Sequence, residues 1–202
     1  MIAEPSPSVT TSRAWFDRPA MELAPDLLGG RLVHASADGI VGGRIVEVEA
    51  YRGPEDLAAH SSRGRTPRNA VMFGPPGHVY VYLIYGLHHC LNVVAGPGAK
   101  PEAVLIRALE IDEGMDLARA RRGSKPPAAR IASGPGNVGQ ALGIDRGLNG
   151  SDLLAGPVRV EPRAGPPPRV RSGPRVGVDY AGTWAMRPLR FWIADDQHVS
   201  RR

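Results

Sequence analysis

The sequence predicts an α+β fold: a single compact mixed domain with a curved, mostly antiparallel sheet, short helices and a protruding β-hairpin. The chain has 202 residues, enough for one sizeable hydrophobic core and only marginally enough for two. Its 25 glycines and 20 prolines indicate many turns between short strands, at a level below that of disordered chains. Strand and helix patterns follow one another irregularly, without the alternation of βαβ units.

The start of the chain and its cysteine content bound the class of protein. Residues 1–12 are polar and contain prolines, so we expect a flexible tail there and a single domain over residues 13–202. No stretch approaches the ~18 apolar residues of a membrane span, and the start lacks the apolar core of a signal peptide. One cysteine, Cys90, excludes an internal disulfide and a multi-cysteine metal site. We therefore expect a cytoplasmic protein that does not bind membranes.

The positive charge of the chain is almost entirely guanidinium. The formal net charge is +5, and of the 25 basic residues only Lys100 and Lys125 are lysines. Arginine binds phosphate in a bidentate manner and stacks on planar groups, which favours a polyanionic partner such as nucleic acid. The alternative is an arginine-biased protein that uses these residues for ordinary solvation, and composition alone does not separate the two.

The first part of the chain predicts two helices and a hairpin. From Pro19, apolar residues at helical spacing predict a short helix that ends at Gly29. Because proline disfavours a helix interior, Pro25 could instead mark a later start of this helix. RLVHAS and GGRIVEVEAY alternate apolar and polar residues, as half-buried strands do, and Asp38 with the following glycine predicts the turn between them. PEDLAAHSS opens with Pro54 and two acids, as a helix does, and leads into the arginine-rich loop RGRTPRNAVMFGPPG.

The rest of the chain predicts a second hairpin, further strands and two helices. VYVYLIYGLHHCLNVV predicts two strands joined at Tyr85, and EAVLIRALEI predicts a strand over residues 102–111. DEGMDLARARRG predicts a helix, because its early acids and late arginines suit the helix dipole. SGPGNVGQALGI predicts a turn and a short helix. PVRVE and RVGV predict short strands around the stiff loop RAGPPPR, and LRFWIA closes the sheet.

Strand parity identifies candidate functional side chains. In RIVEVEAY, Glu47, Glu49 and Tyr51 share one face, because successive strand residues point to opposite sides. A strand glutamate more often faces solvent, by roughly three to one. In EAVLIRALEI, Arg107 lies on an apolar face, so its charge is expected to be partly buried and to need a partner such as Glu47 or Glu49. The alternative is a purely structural ion pair.

The hairpin predicts an aromatic face and an aromatic tip. Tyr80, Tyr82 and Ile84 share one face of the first strand, and Tyr85 lies at the turn. The aromatic face is either ordinary sheet packing or a platform on which a planar ring stacks. A tyrosine at the tip usually packs back on the domain, but an exposed one can act as a wedge that enters a base stack.

Two further motifs are tempting and are discounted. GPGNVG matches the dinucleotide-binding pattern GxGxxG, but no clear apolar strand precedes it, although its amides could still hold a phosphate. The run His88, His89 and Cys90 contains three potential metal ligands, but adjacent strand residues face opposite ways and cannot easily share one ion. We therefore expect neither a cofactor nor a metal.

Five blocks of the sequence together resemble a known family. They are GRIVEVEAYRGPEDLAAHSSRGRTPRN, MFGPPGHVYVYLIYGLHHCLNVV, VLIRALE, SGPGNVGQALGI, and RVGV with WAMRPLRF. In this order they are similar to blocks of the alkyladenine, or 3-methyladenine, DNA glycosylase family of the mammalian type. The blocks cover most of residues 20–195 and leave out the N-terminal tail and the loops near 123–131 and 162–173.

The resemblance implies a single DNA glycosylase domain that bends duplex DNA, flips out a damaged purine and cuts its N-glycosidic bond. Glu49 would activate the attacking water, and Arg107 and the backbone carbonyl of Val176 would help to hold that water. The other implied roles are base-pocket contacts for Tyr51, His60, Tyr82 and Asn92, DNA intercalation for Tyr85, and backbone contacts for Arg65 and Thr66.

The resemblance also implies the substrates and the outcome of the reaction. The expected substrates are alkylated or deaminated purines in double-stranded DNA: 3-methyladenine, 7-methylguanine, hypoxanthine and ethenoadenine. No lysine lies at a matched site position, so the enzyme is expected to be monofunctional and to leave an abasic site. We expect a monomer, associated with the nucleoid if the source is bacterial. The competing interpretations are a module that binds distorted DNA without cutting it, and an oxidoreductase that uses GPGNVG.

Overall fold

The computed structural model describes residues 11–123 and 125–201. The predicted tail over residues 1–12 therefore lies outside the described residues, except for its last two. Within the described part, four α-helices and eight strands are joined by turns and short 3-10 helices. They are α1 (Arg13–Phe16), α2 (Ala20–Leu27), β1 (Arg31–Ser36), β2 (Gly39–Tyr51), β3 (Val79–Ile84), β4 (His88–Ala95), β5 (Glu102–Glu113), α3 (Met115–Arg122), α4 (Pro135–Leu142), β6 (Val158–Glu161), β7 (Val170–Gly173) and β8 (Arg190–Ile193).

All eight strands belong to one antiparallel sheet. The order is β3-β4-β5-β2-β1-β6, and β8 pairs with β2 and carries β7. The central strand β2 is 13 residues long, and it pairs with β1 through its first half and with β8 through its second half. Its register against β5 shifts near Gly42, Ile45 and Glu47, and such bulges bend a strand. The curved antiparallel sheet and the α+β class are as predicted.

The main hydrophobic core lies on one face of this sheet. Val46, Val48 and Ala50 of β2 are fully buried there, as the predicted strand parity requires. Helix α2 packs on β2, and helix α4 packs on β4 and β5. The opposite face of the same strands is thereby left for polar and aromatic side chains, and it forms the site described below.

Most predicted elements are present with small shifts in their ends. Helix α2 matches the helix predicted from Pro19, and Pro25 lies inside it. Helix α3 begins only at Met115, because the two acids predicted to start it belong to the end of β5. Within the described residues, no helix is both long enough and apolar enough to span a membrane.

The helix predicted for PEDLAAHSS is wrong. Residues 54–59 form turns, and a 3-10 helix follows at His60–Arg63. The carboxylate of Asp56 accepts hydrogen bonds from the amides of Arg52 and Ala58, at 3.1 Å each. A short acidic side chain that binds nearby amides competes with the helical bonding pattern, and here it stabilises a turn.

The strand predicted for RVGV is also wrong. The strand β7 ends at Gly173, and residues 174–178 are irregular. Gly177 has φ +73°, a left-handed conformation that glycine adopts without steric cost and that interrupts an extended strand. This segment instead crosses the polar face of the sheet beside β2.

Candidate active site

A cavity of about 350 Å³ opens on the polar face of the sheet, beside the β3–β4 hairpin. Sheet register brings its floor together. Glu49 is paired with Leu105, and Leu105 is paired with Asn92, so these three side chains point to the same side. Eight of the ten residues to which the resemblance assigns a role line this cavity: Glu49, Tyr51, His60, Tyr82, Tyr85, Asn92, Arg107 and Val176.

Glu49 is fully buried, and both of its oxygens are held. The amide of Val176 donates to Oε1 at 2.7 Å, and the hydroxyl of Tyr51 donates to Oε2 at 3.0 Å. The Nη1 of Arg107 lies 3.3 Å from Oε1. The resemblance implies a role for Val176 through its carbonyl, and the structure adds a contact through its amide. The carboxylate is thus fixed in orientation at the bottom of the cavity.

The proton affinity of Glu49 reflects opposing influences. Burial raises the pKa of this carboxyl, whereas the charge of Arg107, the Val176 amide and the Tyr51 hydroxyl lower it. The balance leaves the pKa above the ordinary glutamate value. A carboxyl with a raised pKa accepts a proton more readily near neutral pH, which suits a general base.

The segment that carries Val176 is anchored by a buried ion pair that the sequence did not reveal. Arg175 and Asp56 are both fully buried, and Nη2 of Arg175 donates to Oδ1 of Asp56 at 2.7 Å. The same guanidinium lies 4.6 Å from the ring centroid of Tyr51 and donates to the carbonyl of Ala50 at 2.9 Å. The pair therefore supports two of the three groups that hold Glu49.

Aromatic rings form the upper wall of the cavity. The rings of His60 and Tyr82 meet edge to face with centroids 4.5 Å apart, and the two rings must separate for a planar base to stack between them. Nδ1 of His60 lies 2.8 Å from the hydroxyl of Tyr80, which orients the imidazole. Burial, and secondarily the charge of Arg68, lower the pKa of His60, so its ring is neutral at neutral pH.

The edge of the cavity carries a buried amide. Asn92 donates through Nδ2 to the carbonyl of Tyr80 at 3.1 Å, which fixes the direction of its side chain beside the aromatic wall. Neighbouring Cys90 also lines the cavity, and burial raises its pKa to about 11. The thiol is therefore protonated at neutral pH.

The hairpin tip projects into solvent. Tyr85 is 85% exposed and has φ +53°, and the following Gly86 has φ +68°. The amide of Leu87 donates to the carbonyl of Ile84 at 3.1 Å and closes the turn. A left-handed conformation costs a non-glycine residue about 1–2 kcal/mol. The exposed tyrosine predicted as a wedge is thus present, in a backbone conformation that glycine would adopt more easily.

The arginine-rich loop lies at the rim of the cavity. Arg65 and Thr66 are exposed and do not line the cavity itself. Asn69 is buried below them, accepting from the amide of Thr66 at 2.6 Å and donating to the carbonyl of His60 at 2.8 Å. Arg68, which sequence reasoning missed, lines the cavity and donates to the carbonyl of Leu83 at 2.9 Å. The sequence feature that could have identified Arg68 is its position in the same arginine-rich loop.

The motif GPGNVG serves close packing. A Cβ at Gly136 would lie 2.9 Å from the ring of His88, and a Cβ at Gly139 would overlap the carbonyl oxygen of His89. Glycine therefore lets α4 approach the backbone of β4. This explains the spacing without a dinucleotide.

Away from the cavity, the described part of the chain contains a group of three potential metal ligands. Glu110, Asp196 and His198 offer ligand atoms within 4.8 Å of one another. The guanidinium of Arg44 lies 2.6 Å from oxygens of both carboxylates, and Nδ1 of His198 lies 2.9 Å from Asp196. The cluster is accounted for by these ion pairs.

Comparison with known proteins identifies the family. The model of the methylpurine-DNA glycosylase family matches residues 14–197. A relative from Streptomyces avermitilis is 50% identical over 204 residues, covering 99% of this chain and 94% of its own length. One from Methanoculleus marisnigri is 51% identical over 199 residues, covering 96% and 100%. One from Myxococcus xanthus is 47% identical over 189 residues, covering 93% and 92%.

All three relatives bear the provisional name 3-methyladenine DNA glycosylase. The family suggested by the sequence blocks is therefore confirmed, and the region matched by the family model includes every residue that holds Glu49. On this agreement over nearly its whole length, the chain belongs to the methylpurine-DNA glycosylase family.

Proposed function

We propose that this chain is a monofunctional DNA glycosylase that flips damaged purines out of duplex DNA and hydrolyses their N-glycosidic bond with water activated by Glu49. The observation that carries the proposal is a buried carboxylate, held by Arg107, Tyr51 and Val176, at the bottom of an aromatic-walled cavity. Its substrates are 3-methyladenine, 7-methylguanine, hypoxanthine and ethenoadenine, and its product is an abasic site.

One carboxylate is sufficient for the chemistry. Departure of the purine leaves an oxocarbenium-like sugar, which a nearby anion stabilises while it accepts a proton from the attacking water. Glu49 has this role in the proposal, with Arg107 and the carbonyl of Val176 helping to place the water. The raised pKa of Glu49 supports this, because it increases the affinity of the carboxylate for the proton of the water.

The walls and the rim of the cavity are proposed to receive the base and the DNA. Tyr51 and His60 lie against one face of the base and Tyr82 against the other, and Asn92 contacts its edge. A neutral imidazole at His60 fits a wall that must accept both neutral and cationic purines. Outside the cavity, Tyr85 fills the gap left in the duplex, and Arg65 and Thr66 contact the phosphate backbone.

The direct test is single-turnover base release from labelled duplexes that carry hypoxanthine or ethenoadenine, and from alkylated DNA for the methylated purines. The abasic site is developed with alkali. Release of these bases supports the proposal. Tight binding to the same duplexes with no release of any base would contradict it and would indicate a recognition module that does not cut.

Replacing Tyr85 by glycine is expected to lower base release from duplex DNA by at least ~10-fold, equivalent to about 1.4 kcal/mol of activation free energy. The reason is loss of the side chain that occupies the base stack. Stability should be retained, because glycine adopts the left-handed conformation of residue 85 without strain. Single-stranded DNA with the same lesion is the control, since it has no stack to enter. An equal loss on both substrates would contradict the wedge role.

We also expect no covalent enzyme–DNA complex to be trapped by borohydride. A strand-cutting lyase needs an amine to form a Schiff base, and no lysine lines the cavity among the described residues. The ammonium of Lys100 is engaged by Glu55 at 2.7 Å and by Glu102 at 2.9 Å. Gel analysis after borohydride treatment checks this, with strand cleavage appearing only after alkali. A trapped adduct would show that the enzyme is bifunctional.

A further inference from the structure

A second buried carboxylate lies behind Glu49 and outside the cavity lining. Glu47 precedes it by two residues on β2 and is fully buried. Its Oε1 accepts from Nε of Arg107 at 3.1 Å and from Nη1 of Arg190 at 3.0 Å. Its Oε2 accepts from the amide of Ser200 at 2.6 Å. Every contact of this carboxylate is therefore with a donor, and two of the donors are charged.

Arg107 is shared between the two glutamates. Nε contacts Glu47, whereas Nη1 contacts Glu49. A guanidinium is planar and rigid, so fixing Nε also fixes the position of Nη1. The geometry of the Arg107–Glu49 contact thus depends on Glu47.

The C-terminal segment completes the same cluster. The hydroxyl of Ser200 accepts from Nη2 of Arg107 at 3.3 Å, and the carbonyl of Arg201 accepts from Nη1 of Arg190 at 2.8 Å. Ser200, 93 positions after Arg107 in sequence, is therefore in direct contact with a side chain that lines the cavity. The end of the described chain closes the back of the site.

We propose that Glu47 is a positioning residue for base excision, holding Arg107 against Glu49, and that the amide of Ser200 holds Glu47 in place. This inference rests on the proposed function, because it assigns a role within that reaction. The simplest alternative is an ion pair that contributes only to stability. The two readings differ in what the pH dependence of catalysis should do.

Several charged or titratable groups surround Glu49. They are Glu47 and Tyr51 from β2, Tyr82 from β3, Cys90 from β4, Arg107 from β5 and Arg175 from the irregular segment. Burial is the largest influence that raises the pKa of Glu49, and the negative charge of Glu47 raises it further. The charge of Arg107, which lowers this pKa, has a larger influence than the charge of Glu47. If Glu47→Gln frees Arg107 from Glu49, the pKa of Glu49 therefore rises, whereas loss of the Glu47 charge with Arg107 still in place lowers it. The direction in which the acid limb of the pH profile moves thus separates a positioning role from a purely structural ion pair.

The test is a pH profile of single-turnover hypoxanthine release for wild type and Glu47→Gln. We expect the acid limb of the variant to move to higher pH and its maximal rate to fall, by up to about 100-fold if Arg107 is displaced by 1 Å. Affinity for lesion DNA should be unchanged. A wild-type rate with an acid limb that stays in place or moves to lower pH would overturn the proposal, because Arg107 would then keep its position without Glu47.

Glu102→Gln is the matched control. Glu102 is also a buried glutamate, accepting from the amide of Ala20 at 2.6 Å and from Lys100, but it does not line the cavity or contact Arg107. This variant should lose stability without moving the acid limb. A similar shift in the control would show that the effect in Glu47→Gln is not specific, and the proposal would fail.

Ser200→Pro provides a second measurement if Glu47→Gln does not fold. Proline lacks the amide that binds Glu47, and the change lies close to the end of the chain. We expect a lower rate with unchanged DNA affinity, whereas a wild-type rate would overturn the inference.

If wild type itself released no base, the proposed function would fail and this inference with it. Activity of wild type thus separates the two failures.

Discussion

Glu49→Gln is expected to lower the single-turnover rate of base release by at least ~100-fold, the usual size of a general-base contribution. Glutamine keeps the shape of the side chain, and its oxygen can still accept from the amide of Val176 while its NH2 group donates to the hydroxyl of Tyr51. It cannot accept a proton from water or stabilise a cationic sugar by charge. Binding of lesion DNA should be retained. The measurement is release of hypoxanthine at saturating enzyme, with binding followed separately by anisotropy.

The same variant is expected to be no less stable than wild type. The pKa of Glu49 is raised in the folded protein, so at pH values above it the folded state is penalised for keeping this carboxyl ionised. Neutral glutamine removes that penalty, although it weakens the contact with Arg107. Thermal unfolding at pH 7 checks this. A large drop in stability would mean that loss of activity reports misfolding, and a variant that excised at the wild-type rate would remove Glu49 from the mechanism.

Asp56→Ala is expected to destabilise the fold by about 3–5 kcal/mol, because it leaves the guanidinium of Arg175 buried without its partner. Both side chains are fully buried, and Nη1 of Arg175 also donates a hydrogen bond to the carbonyl of Ala50. The loss also frees residues 174–178, so activity of the remaining folded fraction should fall as Val176 leaves Glu49. Urea unfolding measures the first effect, and the rate per folded molecule measures the second.

Arg169→Ala is the control for this change. It removes an ion pair with Asp195 in which the two side chains are 73% and 66% exposed, and an exposed pair contributes about 0–1 kcal/mol. The double variant Asp56→Ala, Arg175→Met should recover part of the stability, because the unpaired charge is gone. Equal effects of Asp56→Ala and Arg169→Ala would contradict the buried-pair argument.

The sequence predicted the parts of the site that follow from strand geometry. Alternation placed Glu47, Glu49 and Tyr51 on one face and predicted a carboxylate partner for Arg107, and both glutamates contact it. The more common expectation, a solvated glutamate face, does not hold for β2, because the irregular segment at Val176 and the C-terminal segment at Ser200 lie against its two glutamates. The alternation of residues along a strand predicts the side of the sheet to which a side chain points, but not what packs against that side.

Contacts between distant segments could not be predicted in this way. Asp56 and Arg175 are separated by 119 positions, and neither looked unusual in its local context. The two ends of this contact lie in the two segments whose secondary structure was predicted wrongly: Asp56 in the turn that replaces a helix, and Arg175 in the irregular segment that replaces a strand. Spacing predicted the shared face of Tyr80 and Tyr82 and left open whether it packs in the sheet or binds a planar ring, whereas the contact between His60 and Tyr80 could be seen only in the folded chain.

The turn at Tyr85 and Gly86 bears on how the protein would search DNA. Both residues already have left-handed backbone angles, and the turn is closed by the amide of Leu87. The side chain is therefore presented by a preformed turn and does not have to be ordered at each encounter. A damage-searching protein meets very many intact base pairs for each lesion, so the entropy of ordering a loop would recur at every one of them. If Tyr85 is the wedge, as proposed, that recurring cost is replaced by a fixed conformational strain, set once when the chain folds.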